Sequence, residues 1–242
     1  KDNFLNFGAD VIVIGEGEET TLELVRLFQG KQPTSLALQT VKGIAFKHDG
    51  QIITTAERSF IKDINTLPFP NRKKVDFTPY LNGWKKHHGY SMMSVNTMRG
   101  CPYTCKWCSR AVYGGTYRRR SPQLVAAELS LLKKEYKPDM IWFVDDVFTI
   151  HHKWLKEFAD EVIKMDAMIP YEIISRADRL NEEVIKLLKQ SGCFRIWVGA
   201  ESGSQKIIDA MDRRVDVMKT REMIQLAKKN GIEAGTFIML GY

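Results

Sequence analysis

Ser91-Met92-Met93-Ser94-Val95-Asn96-Thr97-Met98-Arg99-Gly100-Cys101-Pro102-Tyr103-Thr104-Cys105-Lys106-Trp107-Cys108 opens as a strand and closes on three cysteines. Ser91 to Thr97 has strand-like composition, and the loop that follows turns at Gly100 and Pro102 before presenting thiols with the spacing C-x3-C-x2-C. Downstream the alternation of strand and helix continues. Leu124 to Tyr136 has the apolar spacing of an amphipathic helix, with Ser121 placed to cap it and Pro122 at its first position. Met140 to Val144 is an apolar strand, and Trp154 to Met165 the next helix. Tyr171 to Ser175 is a strand; Asn181 caps a helix from Glu182 to Gln190, which Gly192 ends. A strand at Phe194 to Val198, helical stretches at 204–211 and 217–229, and a last strand from Ile232 to Leu240 complete the series.

Strands alternating evenly with helices predict a parallel sheet with helices outside, which is the α/β class. Open sheets and (β/α) barrels both fit. In either, reactive groups gather just past the carboxyl ends of the strands. Cys101, Asp145, Asp146, Arg176, Glu201 and Ser202 all stand at such ends. Because the chain stops at Tyr242, directly after a strand, the series is expected to be truncated after its fifth strand.

Upstream, Val11-Ile12-Val13-Ile14 is a β-branched run closed by Gly15-Glu16-Gly17-Glu18-Glu19-Thr20, and helical spacing follows up to Gly30. One strand–loop–helix unit cannot bury its own faces, so its partners are expected upstream of Lys1. Val41 to Phe46 and Gln51 to Thr55 flank His48-Asp49-Gly50 as a hairpin. Leu67-Pro68-Phe69-Pro70-Asn71-Arg72 and Thr78-Pro79 then predict an extended connector, with Trp84 to Gly89 as its last loop. The expected organisation is 1–30, a hairpin and linker over 31–89, and a core over 90–242.

The 242 residues are 44% hydrophobic and 27% charged, an ordinary globular composition. No apolar run approaches the ~18 residues of a membrane helix, and no signal peptide is visible. The net charge of +7 raises nucleic acid as a partner, but the basic runs Arg72-Lys73-Lys74 and Arg118-Arg119-Arg120 are short and separate. They are expected to be solvated surface, or a patch for an anionic substrate. Four cysteines are too few for a disulfide framework, and three fall between positions 101 and 108. Such clustering indicates metal ligands in a reducing compartment such as the cytoplasm.

Soft thiolates suit iron–sulfur, zinc or copper. A structural zinc wants a fourth Cys or His close by, and His151, His152 and Cys193 are all distant in sequence. Three thiolates on a four-iron cube leave one iron open. On these residues the chain resembles the radical S-adenosylmethionine (SAM) superfamily, whose hallmark is this spacing with an aromatic before the last cysteine, here Trp107. The resemblance implies that Cys101, Cys105 and Cys108 hold a [4Fe-4S] cluster whose open iron binds SAM for reductive cleavage to a 5'-deoxyadenosyl radical. It also implies a small-molecule substrate and an electron donor such as flavodoxin or ferredoxin. Asp145-Asp146, where many members have Gly-Gly-Glu, would bind the SAM ammonium; Glu201, followed by Ser202, would accept from its ribose; Gly235 to Gly241 would pack on adenine. The plainer alternatives stay beside these: Asp146 as a helix cap, Arg176 as a carboxylate clamp or an ion-pair partner of Asp178 or Glu201, Ser204 as a cap, Cys193 as a buried inert thiol, and surface histidines.

Val11 to Glu18 is similar to the last βα unit of a Rossmann-like cobalamin-binding domain, which precedes the barrel in one branch of the superfamily. The Leu67 to Arg72 connector and Glu201-Ser202-Gly203-Ser204 resemble the same branch. There, Gly15, Glu16 and Gly17 would lie near the nucleotide tail of cobalamin. The branch includes methyltransferases acting on unactivated carbon and the anaerobic cyclase of magnesium-protoporphyrin ester. The resemblance therefore implies a partial (β/α) barrel preceded by the C-terminal end of a cobalamin-binding domain, and either methylation or radical oxidation and cyclisation.

Overall fold

In the computed structural model, which describes residues 1–30, 32–109 and 112–242, the strands resolve into a five-stranded parallel sheet, a three-stranded antiparallel sheet and a two-stranded antiparallel ribbon. Lys31, where the linker is expected to begin, lies outside the described residues. The chain divides into two units: one spans Lys1–Lys62 and takes in Gly114, the other spans Asp63–Ser109 and Gly115–Tyr242.

In the first unit, helix α1 (Asp2–Asn6) leads to strand β1 (Val11–Val13) and helix α2 (Glu18–Phe28). Helix α3 (Ser35–Thr40) precedes the hairpin of β2 (Ile44–His48) and β3 (Gln51–Thr54). Asp49 and Gly50, both left-handed, make its turn. β1 pairs antiparallel with β2, Val11 opposite Phe46 and Val13 opposite Ile44. Leu24, Leu38, Val41, Ile44 and Phe46 are buried together. A sheet partner of β1 therefore lies downstream, in the hairpin. The reason is physical: Ile44-Ala45-Phe46 is wholly buried and needs an apolar strand beside it.

In the second unit, the connector ends in a helix, α4 (Thr78–His88), where the sequence predicts extended chain and a loop. Pro79 falls in the first turn, where its missing N–H removes no helical bond. Asp76 accepts from the Thr78 amide at 2.9 Å, and left-handed Gly89 ends the helix.

The remaining elements are β4 (Met92–Val95), β5 (Met98–Arg99), β6 (Arg118–Arg119), α5 (Pro122–Glu135), β7 (Met140–Phe143), α6 (His152–Lys164), β8 (Tyr171–Ser175), α7 (Glu182–Gln190), β9 (Cys193–Glu201), α8 (Gln205–Ala210), α9 (Val217–Lys229) and β10 (Glu233–Ile238). The parallel sheet has the order β4-β7-β8-β9-β10. Each new strand adds beside the last without reversal, which is the winding of a barrel arc and not of a doubly wound sheet. Phe143, Phe148, Phe158 and Tyr171 form an aromatic cluster between sheet and helices, with ring centroids 4.8–6.1 Å apart. Ser121 and Asn181 cap α5 and α7 by accepting from the amides of Leu124 and Val184, as their positions predict.

Three arginines of the basic runs, Arg72, Arg119 and Arg120, are not solvated surface. Arg72 and Arg120 both pair with Glu128, at 2.7 and 2.5 Å, and Glu128 is only 1% exposed. The Arg119 guanidinium stands 3.6 Å from the buried Asp145 carboxylate and 3.4 Å from the centroid of the Trp154 ring. Two carboxylates inside the unit pull these cations inward, and their positions are set by tertiary packing. Lys73, paired with Glu135, and Lys74 keep exposed side chains of the kind expected.

Two outcomes follow from this packing. Phe158→Ala should lower unfolding free energy by about 3–5 kcal/mol in urea melts; a loss below ~1 kcal/mol would contradict the packing. Asp139 joins the starts of β4 and β7 by accepting from the Ser91 amide and hydroxyl at 2.7 and 2.8 Å. These bonds, with Lys85, hold its pKa at about 2, below its ordinary 3.8. A depressed carboxylate stabilises the fold above pH 3.8 and loses that contribution as pH falls toward 2. Asp139→Asn should therefore be less stable than wild type at pH 5, with the gap closing by pH 2.

Candidate active site

The cysteine loop is fastened at both ends. At its root, Asp145, immediately past β7, accepts from the amides of Thr97 and Met98 at 2.7 and 3.1 Å, and from the Thr97 hydroxyl. The loop leaves through β5 and returns through β6, with Met98 opposite Arg119 and Arg99 opposite Arg118. Gly100 makes the turn with φ near 81°, and the Thr116 carbonyl occupies the space a Cβ would need.

At its far end the loop docks on the segment after α8. The Lys106 amide donates to the Met211 carbonyl at 3.0 Å, and the Thr104 hydroxyl to Asp212 at 2.6 Å. Arg213 then turns inward. It donates to the Gly199 carbonyl at 2.7 Å, stands 3.5 Å from Glu201, and reaches the Cys105 Sγ at 3.7 Å. Gly199 is required here, because the Arg213 guanidinium fills the place of a Cβ. Arg176, at the end of β8, reaches the same sulfur at 3.6 Å, pairs with Asp178 at 2.8 Å, and lies 3.9 Å from the Tyr103 ring centroid.

Of the three loop cysteines, Cys101 and Cys105 are buried and Cys108 is exposed. Burial pushes the Cys101 thiol upward, and the charges of Asp146 and the other two cysteines add to this. So Asp146 and three sulfurs share one electrostatic neighbourhood. Among the described residues no group of His, Cys, Asp and Glu stands at the spacing of one metal ion's ligands. A cube distributes its thiolates over separate iron corners, so three soft donors on one wrapping loop fit a cluster better than a single zinc.

The two adjacent carboxylates are set apart by their surroundings. Asp145 is fully buried and engaged by Thr97, Met98 and Arg119. Asp146 is exposed beside the cysteines, its carboxyl raised by partial burial. It does not cap α6; His151 does, through its ring nitrogen. Arg176 makes the ion pair with Asp178, while Glu201 faces Arg213. Glu201 sits at φ 62° where the β9–β10 register shifts, and burial raises its carboxyl against the pull of Arg213. Ser202 accepts from the Ser204 amide at 3.1 Å, and Ser204 makes no capping bond. Trp107 lies with its ring 5.7 Å from the Arg213 guanidinium. Cys193 is buried, and that burial pushes its thiol well above the ordinary range, as a buried inert thiol requires. In the first unit, Gly15 is left-handed, Gly17 precedes α2, and the buried Glu16 accepts from the Ile61 amide at 2.7 Å. Arg213 and Asp212 are absent from the sequence expectation; the one local signal for them is Gly199, whose partner lies outside its own strand.

Residues 95–242 match the Radical SAM superfamily. The chain belongs to that superfamily. It is 31% identical to an uncharacterised methyltransferase of Pyrococcus horikoshii over 95% of this chain and 49% of the relative. It is 29% identical to the anaerobic magnesium-protoporphyrin IX monomethyl ester cyclase of Rubrivivax gelatinosus, over 96% of this chain and 41% of that one. The chain thus spans about half the length of these curated relatives. Its fold matches the cobalamin-dependent SAM radical enzyme OxsB with TM-score 0.76 at 19% identity, covering 98% of this chain and 34% of that one. It matches the radical SAM methyltransferase TsrM of Kitasatospora setae with TM-score 0.77 at 17% identity, covering 96% and 47%. Among the described residues no helix is long and apolar enough to cross a membrane.

Asp145→Asn should cost about 3–5 kcal/mol of stability, because Arg119 would be left buried opposite a neutral amide. Asp146→Asn should stay within ~0.5 kcal/mol of wild type. Equal losses in thermal melts of the two variants would contradict this division of labour.

Proposed function

We propose that Cys101, Cys105 and Cys108 hold a [4Fe-4S] cluster at which SAM is bound and cleaved, within a cobalamin-associated enzyme that methylates, or oxidatively cyclises, a small organic substrate. The observation that carries this reading is the cysteine loop itself: three thiols on one loop, anchored at its root by Asp145 and at its far side by Met211, Asp212 and Arg213. When bound, the cluster supplies one electron to the sulfonium of SAM, and the radical chemistry belongs to these cofactors.

The protein's share is orientation and shielding. The exposed carboxylate of Asp146, beside Cys101, is the group of the pair able to accept from an ammonium. Asp145 has no capacity left, so the sequence's two-residue candidate reduces to one. Glu201, held at a register shift at the end of β9, offers a carboxylate to ribose hydroxyls. Arg176 is occupied by Asp178 and by the Arg213 carbonyl at 2.7 Å, so we assign it to the sulfur side of the site and not to a substrate clamp. An external low-potential donor such as flavodoxin or ferredoxin would deliver the electron, and free thiols suit a reducing compartment such as the cytoplasm.

Cobalamin association rests on the relatives: OxsB and TsrM have cobalamin bound in their structures. The bond from Ile61 to Glu16 favours a packing role for Glu16, leaving Gly15 and Gly17 as the backbone that would face a nucleotide tail.

Anaerobic reconstitution should load about four irons per chain, and Cys105→Ala should abolish this. Dithionite-reduced protein given SAM should release 5'-deoxyadenosine. Asp146→Asn should weaken SAM binding about tenfold, ~1.4 kcal/mol. Loading of zinc alone, with no SAM cleavage, would overturn the reading, and a full-length protein that fails to bind cobalamin would overturn its cobalamin part.

A further inference from the structure

Two guanidinium groups, from different strand ends, converge on one sulfur. Arg176 Nη1 stands 3.6 Å and Arg213 Nη1 3.7 Å from the Cys105 Sγ. Each arginine is buried, at 3% and 6% exposure, so neither is held there by chance contact with solvent. Their other N–H groups are committed elsewhere. Arg176 donates to both Asp178 oxygens, at 2.8 and 3.3 Å, and to the Arg213 carbonyl at 2.7 Å. Arg213 donates twice to the Gly199 carbonyl, at 3.2 and 2.7 Å. The Tyr103 ring lies against the first guanidinium. These bonds engage Nε and Nη2 of both forks and leave Nη1 of each directed at the same sulfur.

A cysteine that only needed packing would not draw two cations into a buried site, since each carries a desolvation cost of several kcal/mol. A thiolate bonded to iron is different. It carries negative charge, it accepts N–H donors, and donors to ligand sulfurs stabilise the reduced, more negative state of a cluster. We propose that Arg176 and Arg213 are positioning residues that donate N–H···S hydrogen bonds to Cys105 and raise the reduction potential of the cluster this loop holds. The inference rests on the reading of Cys105 as a cluster ligand. The step affected is a one-electron reduction whose electron comes from an external low-potential donor, dithionite in the test. The arginines keep their protons and form or break no covalent bond.

The pairing explains features that SAM binding alone does not. Gly199 is vacated for Arg213, and Asp178 is spent on holding Arg176 instead of facing outward. A guanidinium kept for a substrate carboxylate would have its fork free, and neither of these has.

The test is an EPR-monitored redox titration of the anaerobically reconstituted protein and of Arg176→Lys, Arg213→Lys, Arg176→Gln and Arg213→Gln, with iron counted in each. The expected result is that the lysine variants retain about the wild-type iron content, while the midpoint moves negative. The shift should be roughly tenfold in the oxidised-to-reduced ratio at fixed potential, about 59 mV for one electron, with the glutamine variants moving at least as far. Fe–S stretching bands in resonance Raman should shift in the same variants. Unchanged midpoints at full iron content would overturn the proposal, as would weakened SAM binding with an unmoved potential. Loss of iron from both lysine and glutamine variants would also overturn it, in favour of a purely structural anchor. A wild-type protein that binds no cluster would instead refute the proposed function, a distinguishable result.

Discussion

The Asp145 carboxylate is the constraint on which the site depends. It is fully buried at the end of β7, where an unpaired charge would be costly. Its oxygens accept from the Thr97 and Met98 amides and the Thr97 hydroxyl, and Arg119 stands 3.6 Å away. Thr97 and Met98 mark the exit of the first barrel strand, and Arg119 the returning strand of the ribbon that frames the cysteines. One carboxylate therefore ties the second strand to both legs of the cysteine loop. The Arg119 guanidinium lies in turn on Trp154 of α6, so the aromatic core and the loop root share a residue.

A loop held only at its root would be free at its tip. Here the tip is closed by backbone and side-chain bonds from 211–213, which belong to the turn after α8, the helix that follows the fourth barrel strand. The cysteines are thus suspended between the first and fourth strands of the arc, and the space past the intervening strand ends carries Asp146, Arg176 and Glu201. That spread follows from the winding. When every strand adds beside its predecessor, the carboxyl ends lie along one rim, and polar groups distant in sequence meet there. The Arg72–Glu128–Arg120 cluster acts similarly on the outer side, binding the connector to α5 through a shared buried carboxylate.

Much of this was legible in residue order. Helix caps at Ser121 and Asn181, the hairpin turn at Asp49-Gly50, and the strand-end placement of Asp145, Asp146, Arg176 and Glu201 depend on neighbours a few residues away, which a sequence displays. What stayed hidden depends on distant partners. Arg118-Arg119-Arg120 looks like surface until Asp145 and Glu128 are known to be buried opposite two of these cations. Thr78-Pro79 looks like extended chain because proline restricts the residue before it, yet that same residue can open a helix once Asp76 receives its amide. The partner of β1 could not be read from its own unit, since pairing is decided by which other apolar strand needs cover. Arg213 carried no motif at all, and only the empty place at Gly199 marks its path.

In the proposed function, the cluster held by the cysteine loop keeps one iron open for SAM. EPR of the reduced, reconstituted protein during a SAM titration tests it directly. Binding at the open iron should change the g values of the reduced cluster and saturate with one SAM per cluster, with the change lost or weakened in Asp146→Asn. A spectrum that stays the same at saturating SAM, in protein holding its full cluster, would contradict the claim.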